Sequence, residues 1–166
     1  MSCMRESNAC HKDARSGSVI EEALRHVDRN ASAHSVTVRD SGDILLVNMD
    51  ARLIMQVLIN LINNAVKNTP PGSEICIESS QSGSDAVVTV RDNGPGIADE
   101  IKPHVFEMFY TGPNSVADGR RGLGLGLALC RSIVESHRGT ISLTDNEPSG
   151  CCFTVSLPMK EVLIHE

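Results

Sequence analysis

Aromatic side chains are scarce in this sequence: among 166 residues there are three Phe, one Tyr and no Trp. Three of those four, Phe106, Phe109 and Tyr110, fall within five residues, which points to a local packing role rather than a shared aromatic core. No apolar run approaches the roughly 20 residues that cross a bilayer; Ile44 to Val47 is typical of the longest. No block of Lys and Arg exceeds the pair Arg120 and Arg121, and the net charge is -6. A sequence-independent nucleic-acid surface is thereby excluded, and any bound anion must be held locally. The six cysteines form no C-x-x-C pair and no zinc-finger spacing with His, so neither a cysteine-based metal framework nor a disulfide framework is expected. The amino-terminal stretch lacks the apolar segment of a secretory signal, and a cytoplasmic location is the expectation. What is present is a globular composition, 40% hydrophobic and 22% charged, in a chain long enough for one domain.

Residues 1–17 are polar and aperiodic and are read as a disordered lead-in or the remnant of an upstream region. The domain proper is expected over 18–160, with 161–166 as a tail. Ser18 with Glu21 is a capping pattern, and Val19, Ala23, Leu24 and Val27 recur at helical spacing, giving a first helix to about Asn30. Ser35–Arg39 and Ile44–Asn48 are β-branched runs around Asp40-Ser41-Gly42-Asp43, read as a hairpin. Asp50 caps a long helix whose apolar stripe runs from Leu53 to Ala65 and ends at Thr69-Pro70-Pro71-Gly72. A second hairpin joins Glu74–Ser79 to Ala86–Val90. A short helix from Ala98 to Val105, a loop over 111–120, a helix from Leu123 to Ser136, and strands Gly139–Thr144 and Cys151–Leu157 complete the chain. This order predicts an α+β two-layer sandwich, a mixed and mostly antiparallel sheet with helices on one face.

Three segments carry chemistry. Asn60, Asn64 and Lys67 are spaced four and three apart on the long helix, so they share one face that cannot be core. An amide oxygen can ligate magnesium, and an ammonium can meet phosphate oxygens. Asp92-Asn93-Gly94-Pro95-Gly96-Ile97 follows a strand, where two glycines let the backbone turn sharply beside a flat ligand and a carboxylate can accept from an exocyclic amine. Arg120-Arg121-Gly122-Leu123-Gly124-Leu125-Gly126 opens a helix whose free amides, with two guanidinium groups, suit an oligophosphate. Solvated helix, ordinary turn and close helix packing are the plain alternatives for the three.

In their order, together with the F-x-x-F-like run Phe106-Glu107-Met108-Phe109-Tyr110, these segments resemble the ATP-binding catalytic domain of sensor histidine kinases over residues 19 to 158. VFEMFYTG and DGRRGLGLGLALC look most like its potassium-responsive branch. The resemblance implies a Bergerat-type ATP-binding fold that uses ATP and magnesium. It assigns magnesium to Asn64, catalytic roles to Asn60, Lys67 and Arg121, and the adenine amine to Asp92. Gly94, Gly96, Ile97, Tyr110, Arg120, Gly122, Leu123, Gly124, Leu125 and Gly126 would complete the nucleotide site, with Lys67 and Arg121 reaching phosphates. Asn68 stands where the family often has Tyr or His, and Cys151-Cys152 where Ser or Thr is common. Gyrases, mismatch-repair ATPases and a heat-shock chaperone of the same fold place a water-activating Glu where this chain has Asn60. An amide cannot accept that proton, so transfer to an external nucleophile is expected over hydrolysis. No histidine here sits in the acceptor pattern H-E/D-x-x-N/T-P, and His104 and His137 are read as structural. The expected partners are therefore a dimerisation domain carrying the histidine and a response regulator, with no nucleic acid, no direct membrane contact and a monomeric domain. An anti-sigma-type serine kinase and a non-catalytic nucleotide-gated module are the alternatives.

Overall fold

The computed structural model describes residues 11–27, 34–40, 46–107 and 126–159. Strand β1 (His11–Arg15) leads directly into helix α1 (Ser16–Arg25). Then come β2 (Ser35–Asp40), β3 (Leu46–Asp50), α2 (Ala51–Lys67), β4 (Glu74–Ser82) and β5 (Asp85–Asp92). A 3-10 turn (Lys102–His104), α3 (Gly126–Ser136), β6 (Thr140–Asp145) and β7 (Cys151–Pro158) follow. The main sheet has the order β2-β4-β5-β7-β6, and β1 pairs with β3 in a separate two-stranded sheet. Only β2 and β4 run parallel; the other neighbours are antiparallel.

Alternation along the strands decides which face is covered. Ile75 and Ile77 on β4, Ala86, Val88 and Val90 on β5, and Phe153, Val155 and Leu157 on β7 are all buried. Against them lies the apolar stripe of α2, with Ile54, Val57, Leu58, Leu61, Ile62, Ala65 and Val66 buried. The opposite sheet face is polar; there Arg91 meets Glu78 at 3.3 Å. The result is the expected two-layer sandwich. Among the described residues no helix is long and apolar enough to cross a membrane.

Helix α2 is fixed at its start by Asp50, whose side chain accepts from the amides of Arg52 and Leu53. His137 holds the same point from the other side. Its Nε2 accepts from the Asp50 amide at 3.0 Å, while Nδ1 lies 2.8 Å from the Ile133 carbonyl. An N–H donor on Nε2 leaves the ring proton on Nδ1, so one buried imidazole joins the C-terminal end of α3 to the N-terminal end of α2. His104, by contrast, is exposed and meets Glu107 at 2.8 Å.

Five expectations are corrected. The Ser35–Arg39 and Ile44–Asn48 hairpin does not form: β2 pairs with β4, aligning Val36 with Ile75 and Val38 with Ile77, and β3 pairs with β1. Residues 11–17, expected within a lead-in, instead make β1 and the start of α1. Helix α1 ends at Arg25 with a turn from the His26 amide to the Ala23 carbonyl, short of Asn30, and Ser18 lies inside it. The Ala98–Val105 helix reduces to a 3-10 turn, because Pro103 has no N–H to continue an α-helical ladder. The aromatic residue Phe106 also joins the main core, edge-on to Phe153 at 6.1 Å between centroids; Phe109 and Tyr110 lie outside the described residues.

Candidate nucleotide-binding site

The site begins at the C-terminal end of β5. Asp92 is the last residue of that strand and is 5% exposed. Its Oδ1 accepts from the Gly94 amide at 3.0 Å and from the Cys151 amide at 3.3 Å. Burial holds the carboxyl above the usual carboxylate range, and those two amides pull it part of the way back. Both hydrogen bonds end on Oδ1, which leaves Oδ2 to accept from a ligand. A buried carboxylate with one oxygen held by backbone and one to spare is suited to a small planar donor such as an exocyclic amine.

Residues from distant parts of the chain hold this turn. The turn between β6 and β7 lies against it: the Asn146 side chain donates to the Asp92 carbonyl at 2.9 Å, and Ser149 to the Asn93 carbonyl at 3.4 Å. Gly150, at φ +107°, lies so close that a Cβ there would strike the Asp92 carbonyl. Gly96, at φ +80°, faces the Gly150 carbonyl. From the end of α2, Thr69 fills the space beside Gly94, where an added Cβ would lie 2.5 Å from the Thr69 methyl. Thr69 is itself fixed, donating to the Ala65 carbonyl at 2.8 Å and meeting His34 Nε2 at 2.9 Å. Gly94→Ala should therefore weaken nucleotide binding and cost about 1–3 kcal/mol of stability through overpacking. Adding Thr69→Ser, which removes the obstructing methyl, should recover part of both, as read by thermal melting and ATP titration.

The second part is the exposed face of α2. Asn60 and Asn64 are half-buried and Lys67 is exposed. Asn60 Oδ1 accepts from Gln56 at 3.1 Å, and Asn64 Oδ1 from Asn68 at 3.1 Å. Asn68, the C-cap residue of α2, thus supports Asn64. Cys130, on α3, is fully buried; its thiol donates to the Val57 carbonyl at 3.8 Å, with Asn60 beside it. Burial pushes that thiol up to about 11, the Asn60 contact acting in the opposite direction. Asn60 is held by Gln56, has neutral neighbours, and has no means of taking a proton from water.

Of the residues singled out in the sequence, the structure places Asp92, Gly94, Gly96 and Ile97 in one turn, and Asn60, Asn64 and Lys67 on α2, with Gly126 at the start of α3. Tyr110, Arg120, Arg121, Gly122, Leu123, Gly124 and Leu125 lie outside the described residues. The Cys151-Cys152 departure divides between the two sheet faces. Cys151 serves Asp92 through its backbone amide, and burial pushes its thiol up to about 11. The Cys152 thiol lies on the polar face, 3.7 Å from Thr154 Oγ1, in cross-strand register with Arg91. Asn146, Gly150, Thr69 and Cys130 are the supporting residues that sequence reasoning missed. Gly150, ending a polar turn before an apolar strand, carried the one visible signal.

Residues 49–161 match the family model described as histidine kinase-, DNA gyrase B-, and HSP90-like ATPase. The chain belongs to this ATP-binding family, and its likeness within it is to the catalytic domains of sensor histidine kinases. The sensor protein KdpD of Clostridium acetobutylicum is 39% identical over 140 residues, covering 84% of this chain. The chain spans only 16% of that relative's length. Among solved structures, a mycobacterial sensor histidine kinase, MprB, superposes with a TM-score of 0.79 at 27% identity, covering 92% of this chain and 99% of that one. The catalytic domain of the histidine kinase ThkA gives 0.78 at 29% identity, covering 89% and 95%. These matches favour the histidine-kinase reading over the serine-kinase and binding-module alternatives.

Proposed function

We propose that residues 18–160 form the phosphotransferase unit of a KdpD-like sensor kinase, which passes the γ-phosphate of ATP to a histidine on a dimerisation domain outside this chain. The observation that carries this reading is Asp92, a buried carboxylate with one oxygen to spare, at the end of a sheet whose covering helix offers Asn60, Asn64 and Lys67. The adenine amine would donate to Asp92 Oδ2, with Gly94, Gly96 and Ile97 beside the ring. Lys67 would meet the phosphates as a point charge. By resemblance, Arg120 and Arg121 would do the same, and Gly122, Gly124 and Gly126 would supply amides. Tyr110, Leu123 and Leu125 would line the same site.

Magnesium fits the donor set. Among the described residues no three His, Cys, Asp or Glu cluster to hold a metal, but magnesium characteristically takes one or two protein oxygens and fills the rest of its shell with phosphate and water. Asn64 Oδ1 is such an oxygen, and the Asn68 amide orients it. Bound there, magnesium would neutralise charge on the β- and γ-phosphates. In the transfer itself an imidazole nitrogen of the acceptor attacks the γ-phosphorus, an N–P bond forms as the bond to ADP breaks, and the imidazole proton leaves. The chain's contribution is to hold the phosphates and exclude a water-activating base, which suits Asn60 in place of Glu. A response regulator would receive the phosphate in turn, with the domain on the cytoplasmic side of the membrane.

The test supplies the purified chain with labelled ATP, magnesium and a separately made helical-hairpin acceptor carrying H-E-x-x-N-P. Acid-labile label should appear on the acceptor and not on the chain alone. Asn64→Ala should slow it at least about tenfold. Acid-stable phosphoserine on the acceptor, or rapid labelling of the chain by itself, would contradict the proposal.

A further inference from the structure

Lys102 lies where two segments that support the site meet. It begins the 3-10 turn that follows the Asp92–Ile97 segment, and its side chain is only 17% exposed. Its ammonium binds two carboxylates. One is Asp99 in its own turn. The other is Asp145, at 2.8 Å, the last residue of β6 and the neighbour of Asn146. Asn146 in turn donates to the Asp92 carbonyl, and Cys151 to Asp92 Oδ1. The contacts therefore close a ring: from Asp92 through Gly94, Gly96 and Ile97 to Lys102, across to Asp145, along the turn to Cys151 and back to Asp92.

We propose that Lys102 is a positioning residue for the base end of the nucleotide site, clamping the segment after Gly96 to the β6–β7 turn and so fixing Ile97 and Asp92 relative to each other. The proposal rests on the reading of Asp92 as the acceptor of the adenine amine. A bare surface ion pair contributes little to stability; this one joins two segments that, among the described residues, also meet through Asp92, Asn93 and the close approach of Gly96 to Gly150, and it is the contact that reaches past Ile97, so its effect should fall on ligand geometry. The two carboxylates, Asp145 foremost, hold the ammonium above the ordinary lysine value.

The experiment measures ATP and GTP affinities and the melting temperature of the 166-residue chain, wild type against Lys102→Met, Lys102→Arg and the reversed pair Lys102→Asp with Asp145→Lys. GTP lacks the 6-amino donor that Asp92 would accept. Lys102→Met should weaken ATP binding about fivefold, reduce the preference for ATP over GTP, and leave melting nearly unchanged. Lys102→Arg should return ATP affinity to within about twofold, and the reversed pair should recover most of the preference. A Lys102→Met chain with wild-type affinity and preference would overturn the proposal. So would parallel losses of ATP and GTP binding accompanied by lowered melting, the mark of a purely structural role. A wild-type chain with no preference for ATP would sink the Asp92 reading, and the proposal with it.

Discussion

Asp92→Asn should reduce ATP affinity by about 10- to 100-fold while leaving the fold as stable as before or slightly more so. Loss of a hydrogen bond to a charged acceptor is worth about 1.5–3 kcal/mol. The geometry makes the loss certain in sign. The amides of Gly94 and Cys151 both point at Oδ1, so an Asn must turn its oxygen to them and its NH2 to the ligand, donor facing donor. Stability behaves differently because burial raises the Asp92 carboxyl above its ordinary value of 3.8. A carboxyl raised in the folded state costs stability once it ionises; the cost is absent below the unfolded value and complete above the folded one. Asn removes it, so melting at neutral pH should not fall, and any advantage over Asp should vanish as pH drops to the unfolded value. A variant that binds ATP like wild type would remove Asp92 from the site.

Gly150→Ala should be the most damaging small substitution around the site. Its backbone is at φ +107°, and the added methyl would meet the carbonyl oxygen, carbonyl carbon and Oδ1 of Asp92. Strain in that backbone region costs about 1–3 kcal/mol, and overpacking a similar amount. None of the struck atoms is the free end of a flexible side chain, so the β6–β7 turn must move away from Asp92. Melting should drop by several degrees or more, and ATP affinity should fall with it, because the Cys151 amide and the Asn146 side chain retreat together. Wild-type melting in Gly150→Ala would mean that the turn does not press on Asp92.

The difference between what the sequence discloses and what it hides follows sequence separation. Asn60, Asn64 and Lys67 share a face because a helix repeats every 3.6 residues, and Asp50 caps that helix two and three residues from the amides it receives; both facts are local. The β4–β5 hairpin is local too, closed through Gly83 at φ +60°. Partner choice among short strands is not. Nothing within Ser35–Arg39 states that Val36 will lie beside Ile75 in a parallel pair, and the nearer run at Ile44–Asn48 reads as the easier neighbour. The support of Asp92 is hidden for the same reason: Asn146 is 54 residues away and Cys151 is 59. Lys102 looks like an ordinary solvated lysine until the turn at Asp145 is brought against it. The motif contains the carboxylate proposed to face the ligand, whereas the atoms that hold it belong to the tertiary structure. The short helix at Ala98–Val105 failed on a visible residue, Pro103, whose missing N–H decides against an α-helix.

The most direct measurement is a calorimetric cycle with two ligands and two proteins in the presence of magnesium: ATP and purine riboside triphosphate, which is ATP without its 6-amino group, against wild type and Asp92→Asn. If Asp92 Oδ2 accepts from that amine, removing the amine should weaken binding to wild type by about as much as Asp92→Asn weakens ATP, and the two losses should not add. Full additivity, or wild type binding both ligands equally, would contradict the placement of adenine at Asp92.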